Sequence, residues 1–151
     1  MARITRRLTA VAATVSALSV GLLAAPQPAS AATLGSCGSS YSKVGSYPLR
    51  ADWQYNTGSI DVYYSSSTGK NCAITRPGTA LAGKARHVWV CIEQTKGYGR
   101  DCDGLGYGEN FRYYAGPVSV YGKGQCINVT GGFTRPDGVV FSGMARSVHC
   151  G

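Results

Sequence analysis

The sequence is poor in the groups from which most active sites are built. It holds 7 Asp and Glu against 15 Lys and Arg, and only two histidines, His87 and His149. A Ser-His-Asp arrangement needs an imidazole beside a nucleophile, and nothing in the pattern puts one there. Neither Gly-x-Ser-x-Gly nor His-Glu-x-x-His occurs. Ser-x-x-Lys appears at Ser40 to Lys43 and at Ser67 to Lys70, but its Ser-Asp-Asn and Lys-Thr-Gly companions are missing. No Cys-x-x-Cys spacing exists, which removes support for zinc or dithiol redox chemistry. Lysine and arginine form no cluster of the kind that grips nucleic acid. No apolar run reaches the roughly 20 residues that a membrane-spanning helix needs. The expectation is a protein without catalytic residues, metal or cofactor.

What is present starts with the N-terminus. Arg3, Arg6 and Arg7 precede an uncharged Ala/Leu/Val stretch from Leu8 to Leu23, which closes on "APQPASAA" with the small pair Ala29-x-Ala31. A charged start, a short apolar centre and a small-residue cleavage site make a secretory signal peptide over residues 1–31. Arg6-Arg7 also opens a twin-arginine reading, but that route carries folded chains, and disulfides form poorly in a reducing cytosol. Residues 32–151 are then a single secreted domain. Cleavage removes three of the 15 basic residues and leaves 12 against 7 acidic ones, a net charge of +5. That balance suits an anionic cell-wall polymer or a spore surface as partner.

All six cysteines, Cys37, Cys72, Cys91, Cys102, Cys126 and Cys150, lie in the expected mature chain. An even count in a small exported domain reads as three disulfides. Two segments also resemble each other, Gly69 to Cys91 and Gly122 to Cys150. Each opens with Gly-Lys, reaches a cysteine, then Thr-Arg-Pro (Thr75 to Pro77, Thr134 to Pro136), then Gly-x-Ala-Arg-x-Val (Gly83 to Val88, Gly143 to Val148) and a closing cysteine. The order of shared elements marks a degenerate internal repeat. Taken alone, the repeat pairs Cys126 with Cys150, and by analogy Cys72 with Cys91, leaving Cys37 for Cys102.

Period-two alternation dominates the same region. Ile60, Val62 and Tyr64 alternate with Asp61 and Tyr63; Val88, Val90 and Ile92 alternate with His87, Trp89, Cys91 and Glu93. Val118 and Val120, then Ile127 and Val129, continue the pattern, and Gly, Pro, Asn and Ser clusters bound each run. "TALAGKA" contains helix formers, but Gly83 interrupts it and the β-branched run behind it favours a strand. The expected fold is all-β, a small antiparallel sandwich or barrel stapled by disulfides, with a signal-peptide helix ahead of it.

"YSSSTGKNC" (Tyr64 to Cys72) fails as a phosphate-binding loop, because Tyr64 stands at the first Gly position and Asn71 at the Ser/Thr position. Its Ser, Thr, Gly and Asn content reads as a turn between strands. Asp101, Asp103 and Glu109 in "RDCDGLGYGEN" could offer oxygens to calcium, but the spacing misses the twelve-residue loop pattern and Cys102 intrudes. Ten tyrosines are the one unusual enrichment, among them Tyr63-Tyr64, Tyr98, Tyr107, Tyr113-Tyr114 and Tyr121. They could stack on sugar rings or a partner protein, or simply lie on the sheet. Asn128-Val-Thr130 is a glycosylation sequon, relevant only in a eukaryotic secretory route.

"CGSSY", "YSSSTGKNC", "FRYYAGPVSV" followed by "GQCINV", and a C-terminal "HCG" together resemble the spore-associated protein A family, small secreted proteins of spore-forming filamentous bacteria. The resemblance spans nearly the whole expected mature chain. It implies an extracellular protein found with spores and supplies no reaction. The chain departs from the family pattern in a longer Gly/Tyr insert between Cys91 and Phe111 and in Cys91 and Cys102 themselves. Because these two cysteines are absent from that pattern together, the comparison implies that they form one added bridge. The polar, glycine-containing loop between them suits a hairpin. The expected pairing becomes Cys37–Cys72, Cys91–Cys102 and Cys126–Cys150. The function expected is non-enzymatic association with the spore or cell surface; the alternatives are a secreted protease inhibitor, with the Cys91–Cys102 loop as its reactive peptide, and a wall-carbohydrate-binding module.

Overall fold

The computed structural model describes residues 35–51 and 57–151. The expected signal peptide (residues 1–31) and Asp52 lie outside the described residues. Eight strands follow in order: β1 (Ser42–Pro48), β2 (Gly58–Ser65), β3 (Lys70–Pro77), β4 (Arg86–Gln94), β5 (Arg100–Asp103), β6 (Ala115–Tyr121), β7 (Ile127–Thr134) and β8 (Val140–Val148). They form two four-stranded antiparallel sheets, β1-β2-β3-β6 and β5-β4-β7-β8. The fold is all-β, a sandwich, and no helix occurs among the described residues.

The core is the sum of the inward halves of the alternating runs. Ile60 and Val62 from one sheet meet Val88, Val90, Ile92, Ile127 and Val129 from the other, all fully buried. Phe133 and Phe141, direct partners across β7 and β8, stack with ring centroids 5.3 Å apart. Burying side chains of this size contributes roughly 1.5–3 kcal/mol each before the entropy of ordering is subtracted.

The turn inside "YSSSTGKNC" is tight. β2 ends at Ser65, β3 begins at Lys70, and the Gly69 N–H donates to the Ser65 carbonyl at 2.8 Å. The Gly69 carbonyl in turn accepts from the N–H groups of Gly122 and Lys123, at 2.8 and 3.1 Å. The two Gly-Lys steps of the repeat therefore touch.

Beyond that contact the two copies run differently. The first crosses from β3 in one sheet to β4 in the other, whereas the second is the β7–β8 hairpin within one sheet. What recurs is a β-bulge at Ala-Arg-x-Val. Ala85 and Val88 both point inward, as do Ala145 and Val148, with two outward residues between them instead of one. The extra residue has positive φ in both places, 48° at His87 and 51° at Ser147. A bulged N–H loses its ladder partner, and an asparagine replaces it each time. Asn110 Oδ1 accepts from His87 at 3.2 Å, and Asn128 Oδ1 accepts from Ser147 at 2.8 Å. "TALAGKA" is neither helix nor strand; residues 79–84 are turns that carry the chain between sheets, and β4 starts only at Arg86.

Both seams between the sheets are tied. On one side Asp101 and Asp103 of β5 accept backbone N–H groups of Ser119 (2.8 Å) and Gly116 (2.6 Å) on β6. On the other, Arg50 and Ser142 exchange backbone hydrogen bonds at 2.9 and 3.1 Å. The disulfides are Cys37–Cys72, Cys91–Cys102 and Cys126–Cys150, and no cysteine is free. Cys91 and Cys102 stand directly opposite in the β4–β5 ladder. The repeat-based pairing of Cys72 with Cys91 does not occur: the two sit on different sheets and neither side chain joins the core cluster between them.

Candidate ligand-binding face

The alternation that sends Val88, Val90 and Ile92 into the core turns Trp89, Cys91 and Glu93 outward. Trp89 is paired with Gly132 across β4 and β7. A Cβ at position 132 would come within 2.5 Å of the Phe141 carbonyl and 3.0 Å of the Trp89 indole nitrogen, so glycine is what lets the ring approach the strand. Trp89 is half-buried there. Among the described residues the indole N–H has no hydrogen-bond partner.

Around Trp89 lies a shallow groove of about 820 Å³. Its walls include Arg50, Arg100, Thr130 and Met144, with Tyr47 and Leu105 at its margins. Met144 and Leu105 are more than half exposed. Arg100 stands across from Glu93 in the ladder, yet its guanidinium rests against the Cys91 sulfur at 3.7 Å. Glu93 is held instead by the Asn128 side-chain amide at 3.0 Å. No carboxylate is among the described residues that line the groove. It brings together the Trp89 indole, the apolar side chains of Leu105 and Met144 and the Arg100 guanidinium.

The residues weighed from the sequence are distributed differently. Asp101, Asp103 and Glu109 do not converge; each accepts a separate backbone N–H, with Glu109 capping Gly106 at 2.6 Å. No cluster of three potential metal ligands exists among the described residues. His87 Nδ1 lies 3.3 Å from the Glu109 carbonyl, and His149 Nε2 lies 3.0 Å from the Tyr47 hydroxyl. Tyr98, Tyr107, Tyr113 and Tyr121 are exposed on separate loops and an edge, while Tyr63 and Tyr64 are half-buried. Trp89, Arg50 and Arg100 carried no sequence motif. The one signal for them was an aromatic residue in the outward phase of an otherwise core-forming strand.

A second charged cluster sits on the other sheet. The buried Asp61 carboxylate meets Lys43 at 2.8 Å and Arg76 at 3.0 Å, and Ser46 and Ser59 donate to it as well. Arg76 also reaches the Gly35 carbonyl. Burial alone would raise the carboxyl's pKa, but the hydrogen bonds from Lys43, Ser46 and Ser59 and the lysine charge outweigh it and hold the group below the ordinary 3.8. Its contribution to stability is then full above 3.8 and is lost as pH falls through the lowered folded value. Burial likewise lowers His149 below its ordinary 6.5, so that part of the stability is complete above 6.5 and declines in acid. We expect thermal melts to show two acid-sensitive stages. His149→Gln should flatten the one beginning near 6.5. Asp61→Asn should remove the more acidic stage and cost roughly 1–3 kcal/mol at neutral pH. Melts of both variants that follow the parent at every pH would disprove this assignment.

With this geometry in hand, comparison with known proteins finds spore-associated protein A of Streptomyces coelicolor, 34% identical over 120 residues, which span 75% of this chain and 71% of the relative. The chain belongs to the spore-associated protein A family. No family model matches the chain, and no solved structure matches it. In this member of the spore-associated protein A family the Cys91–Cys102 bridge lies against Arg100, and Cys91 lines the groove. Among the described residues no helix is long and apolar enough to cross a membrane.

Proposed function

We propose that the protein is exported, carries no catalytic activity of its own and attaches to the surface of the spore or the cell. Kinship with a relative named for its association with spores carries this reading. The three disulfides support it, because such bridges persist in oxidising surroundings. Positive charge favours an anionic envelope as the partner.

Protease inhibition draws on the β4–β5 hairpin, where Tyr98 is fully exposed at the tip of a disulfide-closed loop. That tip is bent at residues 95–98, with φ of +109° at Gly97. Peptides recognised by strand addition are extended, so the shape argues against this use. Surface attachment is the better reading.

Fractionation of a sporulating culture tests it. The protein should be found on washed spores or envelope and be released progressively by rising salt, since exposed charges are screened beyond about 8 Å at physiological ionic strength. Mass spectrometry of that fraction should give Ala32, or a residue beside it, as the first residue. A full-length chain confined to the cytosol would overturn the proposal.

A further inference from the structure

We propose that Tyr98 and Tyr107 are sites of oxidative phenol coupling, at which copies of the protein are joined by covalent tyrosine–tyrosine bonds. The substrate is a second exposed phenol, on a neighbouring copy of the chain. The oxidant is hydrogen peroxide, acting through a haem peroxidase. The inference goes beyond surface attachment and does not depend on it.

Exposure singles these two rings out. Tyr98 and Tyr107 have relative accessibilities of 105% and 109%, so nothing in the protein covers either of them. An aromatic ring normally adds to stability by the area it buries, and these two bury none. Their settings are also the same. Each stands between two glycines, in Gly97-Tyr98-Gly99 before β5 and in Gly106-Tyr107-Gly108 after it. Gly97 and Gly108 have φ of +109° and +86°, in the region that glycine enters without steric cost. With no side chain on either neighbour, a second ring can approach from several directions.

The bond-forming atoms separate these two from the other exposed tyrosines. Phenol coupling joins the ring carbons beside the hydroxyl-bearing one, Cε1 or Cε2. Tyr113 is 66% exposed, but its hydroxyl and Cε1 lie against Gly83, where a Cβ would come within 2.8 and 3.1 Å of them. Tyr121 is 49% exposed, and a Cβ on Gly69 would stand 2.8 Å from its Cε2. The Tyr47 hydroxyl is engaged with His149, and Tyr41, Tyr63, Tyr64 and Tyr114 are half-buried. Tyr98 and Tyr107 keep both carbons open.

The step balances. Each phenol gives up one electron and one proton and becomes a phenoxyl radical. Two radicals form one carbon–carbon bond, and the hydrogen on each bonded carbon moves to its oxygen, restoring both hydroxyls. The two electrons and two protons released reduce one hydrogen peroxide to two waters. No cysteine is free to intercept the oxidant, since all six are in disulfides.

Treatment of the purified, disulfide-bonded protein with hydrogen peroxide and a haem peroxidase tests this. Reducing gels should show covalent dimers and larger species, and without peroxide the protein should remain a single chain. Mass spectrometry should find peptide pairs that contain Tyr98 or Tyr107 and have lost two hydrogens per bond, whereas oxidation of the exposed Met144 would add oxygen. Joint replacement Tyr98→Phe and Tyr107→Phe should lower the yield of dimer roughly tenfold or more. Joint replacement Tyr113→Phe and Tyr121→Phe should leave it within about twofold of the parent. Circular dichroism of both variants confirms the fold. Dimer formation by the Tyr98/Tyr107 variant at the parent's level, or bonds mapped mainly to other tyrosines, would overturn the proposal. So would a loss of two hydrogens confined to the monomer, which would mean coupling within one molecule.

Discussion

Phe133→Ala is expected to lose about 3–5 kcal/mol of stability, because it removes half of a stacked pair at the centre of the core and leaves a cavity. Phe133 and Phe141 are both fully buried, with ring planes within 9° of parallel, and they join the β7–β8 hairpin to the opposite sheet's Ile60 and Val62. A domain of this size is stabilised by only about 5–15 kcal/mol in all, so the variant should stand near the limit of folding. Urea titration reads the effect as a lower midpoint with an unchanged slope. Val140→Ala on the same hairpin is exposed and should stay within about 0.5 kcal/mol of the parent. A Phe133→Ala loss of under 1 kcal/mol would show that the sheets are not held together at this point.

Reduction of the three disulfides should cost still more in sum. They close loops with sequence separations of 35, 24 and 11 residues. Restricting the unfolded chain over such loops contributes about 4, 3.5 and 3 kcal/mol respectively, about 10 kcal/mol together. We therefore expect the fully reduced protein to be unfolded. Among paired Cys→Ser variants, Cys37/Cys72 should be the least stable and Cys91/Cys102 the most. The last keeps β5 in place through Asp101 and Asp103, whose hydrogen bonds to β6 do not depend on sulfur. Melting temperatures of the three double variants under one buffer supply the ranking. A Cys91/Cys102 variant less stable than Cys37/Cys72 would contradict the loop-length argument.

The inner strands were legible because one face of each is apolar. Ile60 and Val62, Val88 to Ile92, and Ile127 and Val129 announce their strands by alternation, and the polar run from Ser65 to Asn71 announces the turn. β1 and β5 were not announced. β1 is an outer strand with half-buried or exposed residues throughout, and β5 has four residues, three of them charged. Such strands are held by partners far along the chain, and local pattern does not record those partners. The repeat was visible, yet its meaning was not. Arg86-His87-Val88 and Arg146-Ser147-Val148 share a bulge, and a bulge can serve at the start of one strand and the end of another. The groove was the least legible feature. Trp89 and Arg100 share the β4–β5 hairpin, but Arg50 is remote in the chain and reaches them only because it bridges to β8 and β7 lies between β4 and β8.

The treatment of the sheet edges also bears on how copies of the protein meet one another. β1 carries Lys43 and a register break before Gly45 and ends at Pro48, and β8 breaks register near its end at Arg146-Ser147. β5 and β6 are occupied with each other. Charge, irregularity and proline are what stop a neighbouring chain from adding a strand. Copies crowded together at high concentration would therefore stay separate molecules and not zip edge to edge into fibres.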